Sequence, residues 1–170
     1  MTENLTPERA DLLEILRARR AFLRVTVQGL TDEQASSTPT VSALCLGGLI
    51  KHVTETEAEW ARFIVDGPFT GSMEWSEEAV GAYGNQFRLI DGETLEGLLV
   101  AYEETAARTD ALVMSADLDR RWPLPTAPWF EAGSTRSVRQ VFLHIAGETA
   151  QHSGHADIIR EAIDGQKSMG

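Results

Sequence analysis

Apolar residues recur every three to four positions along most of this chain, and that interval places side chains on one face of an α-helix. The first such stretch has Thr6 as a helix N-cap and Pro7 at the first helical position, and it ends near Gly29. Three further helices have the same periodicity. They run from after Ser42 to about Val65, from about Thr94 to Met114, and from about Ser137 to Asp164.

The segments between these helices differ in character. Thr31 and Gln34 have the spacing of a capping box, which predicts a short helix before residues 36–40. Residues 68–92 contain several glycines and are expected to form a connector, with a short helix capped by Ser76. Residues 118–134 hold three prolines and several aromatic side chains, but no alternation that would predict a strand.

The length of 170 residues and the hydrophobic content of 42% suffice for one domain with a full core. The helical patterns then predict an all-α fold, which is a four-helix bundle with a long crossover between the second and third long helices. We expect a single domain over residues 1–170. A homodimer formed through an apolar helix face is compatible with this architecture.

The charge of the chain restricts its partners. A net charge of -11 and a pI near 4.8 would make the surface repel phosphate groups, which argues against nucleic acid and anionic membranes. No apolar run is long enough to predict a membrane span, and the polar N-terminus does not resemble a signal peptide. Cys45 is the single cysteine, so no internal disulfide is expected. These features indicate a cytoplasmic protein.

The fourth helix carries the side chains best suited to chemistry. His144, Glu148, His152 and His155 share one face, because helical residues advance by about 100° and the three histidines lie within about 40° of Glu148. Apolar residues occupy the same face, so the four side chains are expected to point toward the core. A carboxylate buried among imidazoles costs several kcal/mol unless something neutralises it, and a divalent metal ion does so.

His52 is the remaining histidine, and it lies on the apolar face of the second long helix. A ligand from this helix could therefore meet Glu148 and His152. Two imidazoles and one carboxylate form a three-ligand set that leaves a divalent ion an open position, as catalytic sites do. Glycines on both helices would allow close approach of neighbouring backbones, and these are Gly47, Gly48, Gly147 and Gly154.

Simpler interpretations of the same residues remain open. His52 is also explained as a satisfied core histidine, and Glu148 with His152 as a surface ion pair. His144 or His155 could replace Glu148 as a ligand, or support the ligands from behind. Cys45 is most simply a small buried hydrophobe.

Two segments give the chain a resemblance to a known family. LGGLIKH at 46–52 and HIAGETAQHSGHAD at 144–157 resemble the DinB-like metal-binding bundle superfamily, in particular the actinobacterial branch that includes mycothiol S-transferases. The resemblance covers nearly the whole chain and extends more distantly to mycothiol-dependent maleylpyruvate isomerase. It implies that His52, Glu148 and His152 hold a zinc ion, or nickel or another divalent ion.

The chain departs from many of these relatives at two points. Glu148 stands where many have histidine, as it does in the isomerase-like members. Ser153, Gly154 and His155 stand where many relatives have Arg-Gly-Gln after the last ligand. His155 is therefore a candidate catalytic residue whose role is open.

The activity that the resemblance implies is attack by a metal-activated thiol on an electrophilic small molecule, with mycothiol or a related low-molecular-weight thiol as co-substrate. The tryptophans near residue 125 would wall an apolar pocket or simply anchor this segment to the bundle. The candidate binding residues are Arg120, Arg121 and Arg136 for a carboxylate of the thiol or substrate, and Trp122, Trp129 and Phe130 for the pocket.

Two other functions would use the same residues. One is hydrolysis by a zinc-bound water, with Glu148 or His155 assisting, which needs no thiol. The other is non-catalytic: an ion that fastens two helices of a protein whose partner is another protein.

Overall fold

Helices make up most of the structure, a computed structural model that describes residues 5–68, 84–125, 127 and 130–168. Two short strands, β1 (Arg121–Pro123) and β2 (Thr135–Ser137), pair with each other ahead of the last helix. The helices, numbered along the chain, are α1 (Pro7–Val25), α2 (Asp32–Ser36), α3 (Leu46–Asp66), α4 (Leu95–Ser115) and α5 (Val138–Asp164).

Most helix ends follow the predicted capping residues. The side chain of Thr6 accepts a hydrogen bond from the first turn of α1, and Ser137 forms a capping box with Gln140 at the start of α5. The end of α5 is followed by Gly165, whose φ of 80° lies in the left-handed region. The short helix predicted after Thr31 is present as α2, with its capping box.

The predicted start of the second long helix, after Ser42, is wrong. The hydroxyl of Ser42 accepts a hydrogen bond from the backbone N–H of Leu44 at 3.2 Å, which forms a local turn instead of a helix cap. α3 begins at Leu46, after Cys45, whose Sγ accepts a hydrogen bond from the N–H of Gly48 at 3.4 Å. A thiol sulfur is a weak acceptor, so the usual preference for hydroxyl caps points to the wrong residue.

The relative directions of the helices follow from which helix halves pack in the same core cluster. One cluster joins the first halves of α1 and α5 to the last halves of α3 and α4, and a second cluster joins the opposite halves. α1 and α5 are therefore parallel to each other and antiparallel to α3 and α4, which requires a crossover between α3 and α4. The predicted all-α bundle is confirmed. Large core residues are Leu16, Phe63, Val113 and Phe142 in the first cluster, and Leu23, Leu49, Tyr102 and Ile159 in the second.

A buried ion-pair network joins α1, α3 and α4. Nitrogen atoms of Arg20 lie 2.6 Å from a carboxylate oxygen of Glu57 and 2.7 Å from one of Asp110, and both Arg20 and Glu57 are buried. Burial by itself lowers the pKa of Arg20, but its hydrogen bonds and charge interactions with the two carboxylates outweigh burial and raise it. Loss of one partner would leave an uncompensated buried charge, so the network fixes these three helices relative to one another.

The segment between α4 and α5 contains a ribbon where no strand is predicted. β1 and β2 are antiparallel, with Trp122 opposite Arg136. Each strand has only three residues, which is too few for alternation to be recognised. The indole N–H of Trp122 donates to the carbonyl of Ile64 at 3.1 Å, and its ring lies where a Cβ atom on Gly67 would be only 2.8 Å away. Trp122 thus anchors the ribbon to the end of α3.

The short helix predicted at Ser76 lies outside the described residues. Within the described ranges, none of the helices has the length and apolar composition needed to span a bilayer.

Candidate metal centre

His52, Glu148 and His152 come together where the first half of α3 passes the middle of α5. Because these helices are antiparallel, residue 52 near the start of α3 lies opposite residue 152 of α5. One ligand atom from each of the three residues lies within 4.8 Å of the other two. His52 and His152 are 8% exposed, whereas the Glu148 side chain is 29% exposed, so solvent reaches the cluster from the Glu148 side.

His152 has a different neighbour at each ring nitrogen. Its Nε2 lies 3.7 Å from Oε2 of Glu148, and its Nδ1 lies 3.4 Å from Nδ1 of His155. Two ring nitrogens at this distance share one proton, so one ring donates and the other accepts. When Nδ1 of His152 donates, its Nε2 carries no proton and is free to bind an ion beside Glu148. His155 therefore lies on the far side of His152 from Glu148.

His52 holds a buried polar atom that a bound ion would explain. Its ring stacks on Phe87 with centroids 4.2 Å apart, and it meets the ring of His152 edge-on at 4.8 Å. Nδ1 of His52 is buried and has no hydrogen-bond partner among the described residues. Such an atom costs about 1–3 kcal/mol when nothing binds it. The donor set of two imidazoles and one carboxylate therefore fits a divalent ion.

Burial favours the neutral form of three histidines in this region. It is the main cause that lowers the pKa of His52, of His152 and of His144. The neighbouring ring of His152 lowers the pKa of His52 further, and Arg136 does so for His144. Only a neutral imidazole has the free lone pair that binds a metal, so at neutral pH these rings have the protonation state that ligation requires.

The crossover reaches the cluster because two glycines allow it to lie directly on α3. A Cβ atom on Gly48 would be 2.0 Å from the carbonyl oxygen of Phe87, and one on Gly47 would be 2.2 Å from the side chain of Leu89. Backbone at 2.0 Å leaves no room for a side chain, so glycine is required at position 48. This close approach places the ring of Phe87 on His52.

The predicted inward face of α5 is only partly buried. Gly147 and Gly154 are exposed, and a Cβ atom on either would meet no atom within 4 Å, so the predicted close approach at these glycines is wrong. Each lies about 100–120° around the helix from Glu148, on its solvent side. The side chains of His144 and Glu148 are 30% and 29% exposed, so they border the core and do not lie within it.

A second group of side chains extends from the cluster along α3 and β2. Nε2 of His144 lies 3.8 Å from Oε1 of Glu148, and its ring meets Trp60 edge-on at 4.8 Å. The guanidinium carbon of Arg136 lies 4.6 Å from the Trp60 ring centroid. Trp60 is absent from the predicted site, although its position two turns after His52 on α3 is a signal that could have identified it.

The other candidate binding residues lie at the ribbon. Arg120 is exposed and stacks on Trp122 at 3.9 Å from the ring centroid. Arg121 is also exposed and donates hydrogen bonds to the opposite strand. Trp129 lies outside the described residues. Of the three arginines predicted to bind a carboxylate, Arg136 is the one whose guanidinium lies over the Trp60 ring.

A helical bundle that gathers two histidines and a glutamate from two of its helices defines a class: bundle proteins with a candidate divalent-metal centre. The chain belongs to the mycothiol S-transferase family, whose model matches residues 11–165. The resemblance noted for the segments around His52 and His152 is thereby confirmed.

The fold is also similar to that of a solved structure. The crystal structure of a conserved protein from Enterococcus faecalis superposes with a TM-score of 0.62 at 12% sequence identity, over 91% of this chain and 96% of that chain. At this identity the similarity concerns the fold alone. No curated protein matches the chain.

Proposed function

We propose that this protein is a divalent-metal-dependent S-transferase that joins a low-molecular-weight thiol, mycothiol or a relative of it, to an electrophilic small molecule. The observation that carries the proposal is the gathering of ligand atoms of His52, Glu148 and His152 within 4.8 Å of one another, beside an opening to solvent. Membership of the mycothiol S-transferase family supports the choice of thiol. A reduced thiol also agrees with a cytoplasmic location.

The three residues would hold the ion, with zinc as the first choice and nickel or another divalent ion as alternatives. When bound, the ion supplies positive charge that keeps a thiol deprotonated at neutral pH. Three protein ligands leave a further position for that thiol, which is the arrangement of catalytic and not of structural sites.

The residues around the cluster would then orient and shield the reactants. The thiol loses its proton to solvent, and the sulfur electron pair forms a C–S bond with the electrophilic carbon. The leaving group departs with the electron pair of the bond that breaks. Phe87 lies against His52 and Trp60 lies against His144, so their apolar rings would limit the access of water to the sulfur. The protein thus contributes position and desolvation, and the thiol contributes the nucleophile.

Elemental analysis paired with a conjugation assay tests the proposal. We expect about one divalent ion per chain, and conjugation of monochlorobimane that requires both protein and mycothiol. His52→Ala should lose the ion and the turnover while circular dichroism retains the helical signal, because the apolar core does not depend on the ion. Cys45→Ser is the matched control. It removes the one thiol of the chain, keeps an N-cap acceptor, and should retain both properties.

Other outcomes would contradict the proposal at different points. Metal without thiol-dependent turnover would exclude the transferase and favour hydrolysis or an ion that only fastens α3 to α5. Loss of the helical signal on chelation would favour the structural ion. Absence of metal, both as purified and after reconstitution, would exclude the metal centre itself.

A further inference from the structure

Arg136 is held between aromatic rings beside the candidate metal centre. Its guanidinium carbon lies 4.6 Å from the ring centroid of Trp60 and 5.7 Å from that of Phe130. Its backbone is fixed by pairing with Trp122, which is itself anchored to α3. A long side chain that would otherwise be mobile is therefore confined to one place.

One nitrogen of the Arg136 guanidinium is buried without a hydrogen-bond acceptor in the part of the chain that the structure describes. This nitrogen is Nη1. Burial lowers the pKa of Arg136, and the charge of Glu148 offsets this only in part. A buried donor on a charged group is costly when nothing accepts from it, so an acceptor from outside the chain would be bound favourably.

Three other arginines of the described part of the chain are satisfied by partners within it. Arg20 contacts two carboxylates, and Arg160 bonds to Asp164 and to backbone carbonyl oxygens after α1. Arg139 contacts Glu8 and Asp119. These side chains have structural roles that account for their positions. By contrast, no acceptor within the described ranges accounts for Nη1 of Arg136.

The unsatisfied donor lies near the cluster and not on a remote surface. Trp60 contacts both Arg136 and His144, and Nε2 of His144 lies 3.8 Å from Oε1 of Glu148. A molecule that contacts both the centre and Arg136 would lie along the Trp60 ring.

We propose that Arg136 and Trp60 form a subsite for a carboxylate carried by one of the two reactants. The planar guanidinium would bind the carboxylate through parallel N–H···O bonds, and Trp60 would pack on the neighbouring apolar part of the molecule. This inference rests on the proposed S-transferase function and adds a substrate class, which is anionic small molecules. The net charge of -11 repels such molecules elsewhere, so a cation beside the centre would guide them to it.

Binding measured without turnover tests the subsite. The zinc-loaded full chain is titrated by calorimetry with benzoate and with benzamide, which share a ring and differ in charge. We expect wild type to bind benzoate about tenfold more tightly, because charge-assisted paired bonds are strong. Arg136→Gln should remove this preference, and Arg136→Lys should keep only part of it, since an ammonium lacks the planar fork. Arg17→Gln, which removes the same charge from an exposed arginine of α1, is the control and should keep the preference.

Zinc itself can bind a carboxylate, so the titrations are repeated in the presence of a chelator. Equal binding of the two probes by wild type would overturn the subsite. So would a full preference for benzoate in Arg136→Gln. Circular dichroism checks the fold of each variant, and Arg136→Lys preserves the test if the glutamine variant does not fold.

Two matched pairs of reactants identify which one carries the carboxylate. A chloronitrobenzoate and the corresponding benzamide are compared with a neutral thiol, and N-acetylcysteine and its amide are compared with a neutral electrophile. Each rate is divided by its uncatalysed rate. In one pair, the higher kcat/KM of the carboxylate compound should disappear in Arg136→Gln. That pair identifies which reactant carries the carboxylate that Arg136 binds.

The two proposals fail separately. Benzoate preference without any thiol conjugation would contradict the S-transferase and leave the subsite intact. Conjugation without any carboxylate advantage in either pair would contradict the subsite and leave the S-transferase intact.

Discussion

At the scale of single residues, the candidate ligands are prepared for an ion by neighbours that contribute no ligand atom. Nδ1 of His152 contacts His155, and the ring of His52 lies against Phe87. Burial keeps both rings neutral by lowering their pKa values. Side chains that are oriented in advance lose little freedom when an ion binds, so such neighbours raise metal affinity.

His155→Ala should therefore weaken zinc binding about 10- to 100-fold without changing the stoichiometry, because Nδ1 of His152 loses the neighbouring ring nitrogen that orients its ring. Competition with a chromophoric chelator measures this affinity. Gln151→Ala, at an exposed position of the same helix, is the control and should leave it unchanged. Full affinity in His155→Ala would show that the contact does not support His152, and complete loss of the ion would make His155 a ligand.

At the scale of elements, the crossover and α3 meet more closely than any side chain at position 48 would permit. The contact determines where Phe87 lies, and Lys51 of α3 adds an ion pair with Glu93 at 2.7 Å. The position of the Phe87 ring over His52 thus depends on how the crossover packs on α3.

Gly48→Ala should destabilise the protein by roughly 1–3 kcal/mol, because the new Cβ atom would be 2.0 Å from the carbonyl oxygen of Phe87 and the crossover would have to move. Gly147→Ala is the matched control. It also replaces a helical glycine, but its Cβ atom would meet nothing within 4 Å, so it should stabilise the protein by about 0.5–1 kcal/mol. Urea unfolding of the metal-free proteins measures both changes. Equal effects would contradict the close packing of the crossover.

Element limits could be predicted from the sequence wherever the signal is local. Thr94, Ser137 and Gly165 cap helices through bonds to residues three or four positions away, and such spacings are visible in a single segment. The start of α3 could not be predicted because a sulfur of Cys45 replaces the usual hydroxyl. The sequence does not predict the ribbon, because its strands are short and are held by Trp122 against a distant helix end.

The three candidate ligands could be predicted from the sequence because their positions follow the helical periodicity. Glu148 and His152 are one turn apart on α5, and His52 lies on the apolar face of α3, so the bundle arrangement brings them together. The sequence does not identify Phe87 and Trp60 as neighbours of the candidate site. The path of a long connection over a helix is decided by tertiary packing, which no local spacing encodes.

At the scale of the whole molecule, charges are distributed unevenly between the surface and the interior. The net charge of -11 leaves the outside strongly acidic. Inside, the charge of Arg20 is paired with those of Glu57 and Asp110. Burial lowers the pKa values of His52 and His152 and so favours their neutral forms. Acidification therefore affects the interior first through these histidines.

The metal-free protein should lose stability as the pH falls below about 6.5, the value for an unperturbed histidine. His52, His144 and His152 have lowered pKa values in the folded state, so between those values and 6.5 the unfolded chain binds more protons. Their contribution to the free energy of unfolding is complete above about pH 6.5. It declines between that pH and the lowered pKa values, by at most about 1.4 kcal/mol per pH unit for each histidine. Urea unfolding with chelator at about pH 7.5 and about pH 5.5 measures the decline. His52→Gln should reduce its slope, and an identical slope would contradict the burial of His52.

The ligand atoms of the centre come from two long helices, whereas Phe87 and Arg136 come from the connections between helices. Helices that share two core clusters tolerate few changes, but connecting segments vary freely. Substitutions in the crossover or the ribbon could therefore alter which molecules are accepted while the ligand set stays constant. Relatives with one chemistry and many substrates would be expected to diverge first in these two segments, which makes them the natural targets for redirecting specificity in the laboratory.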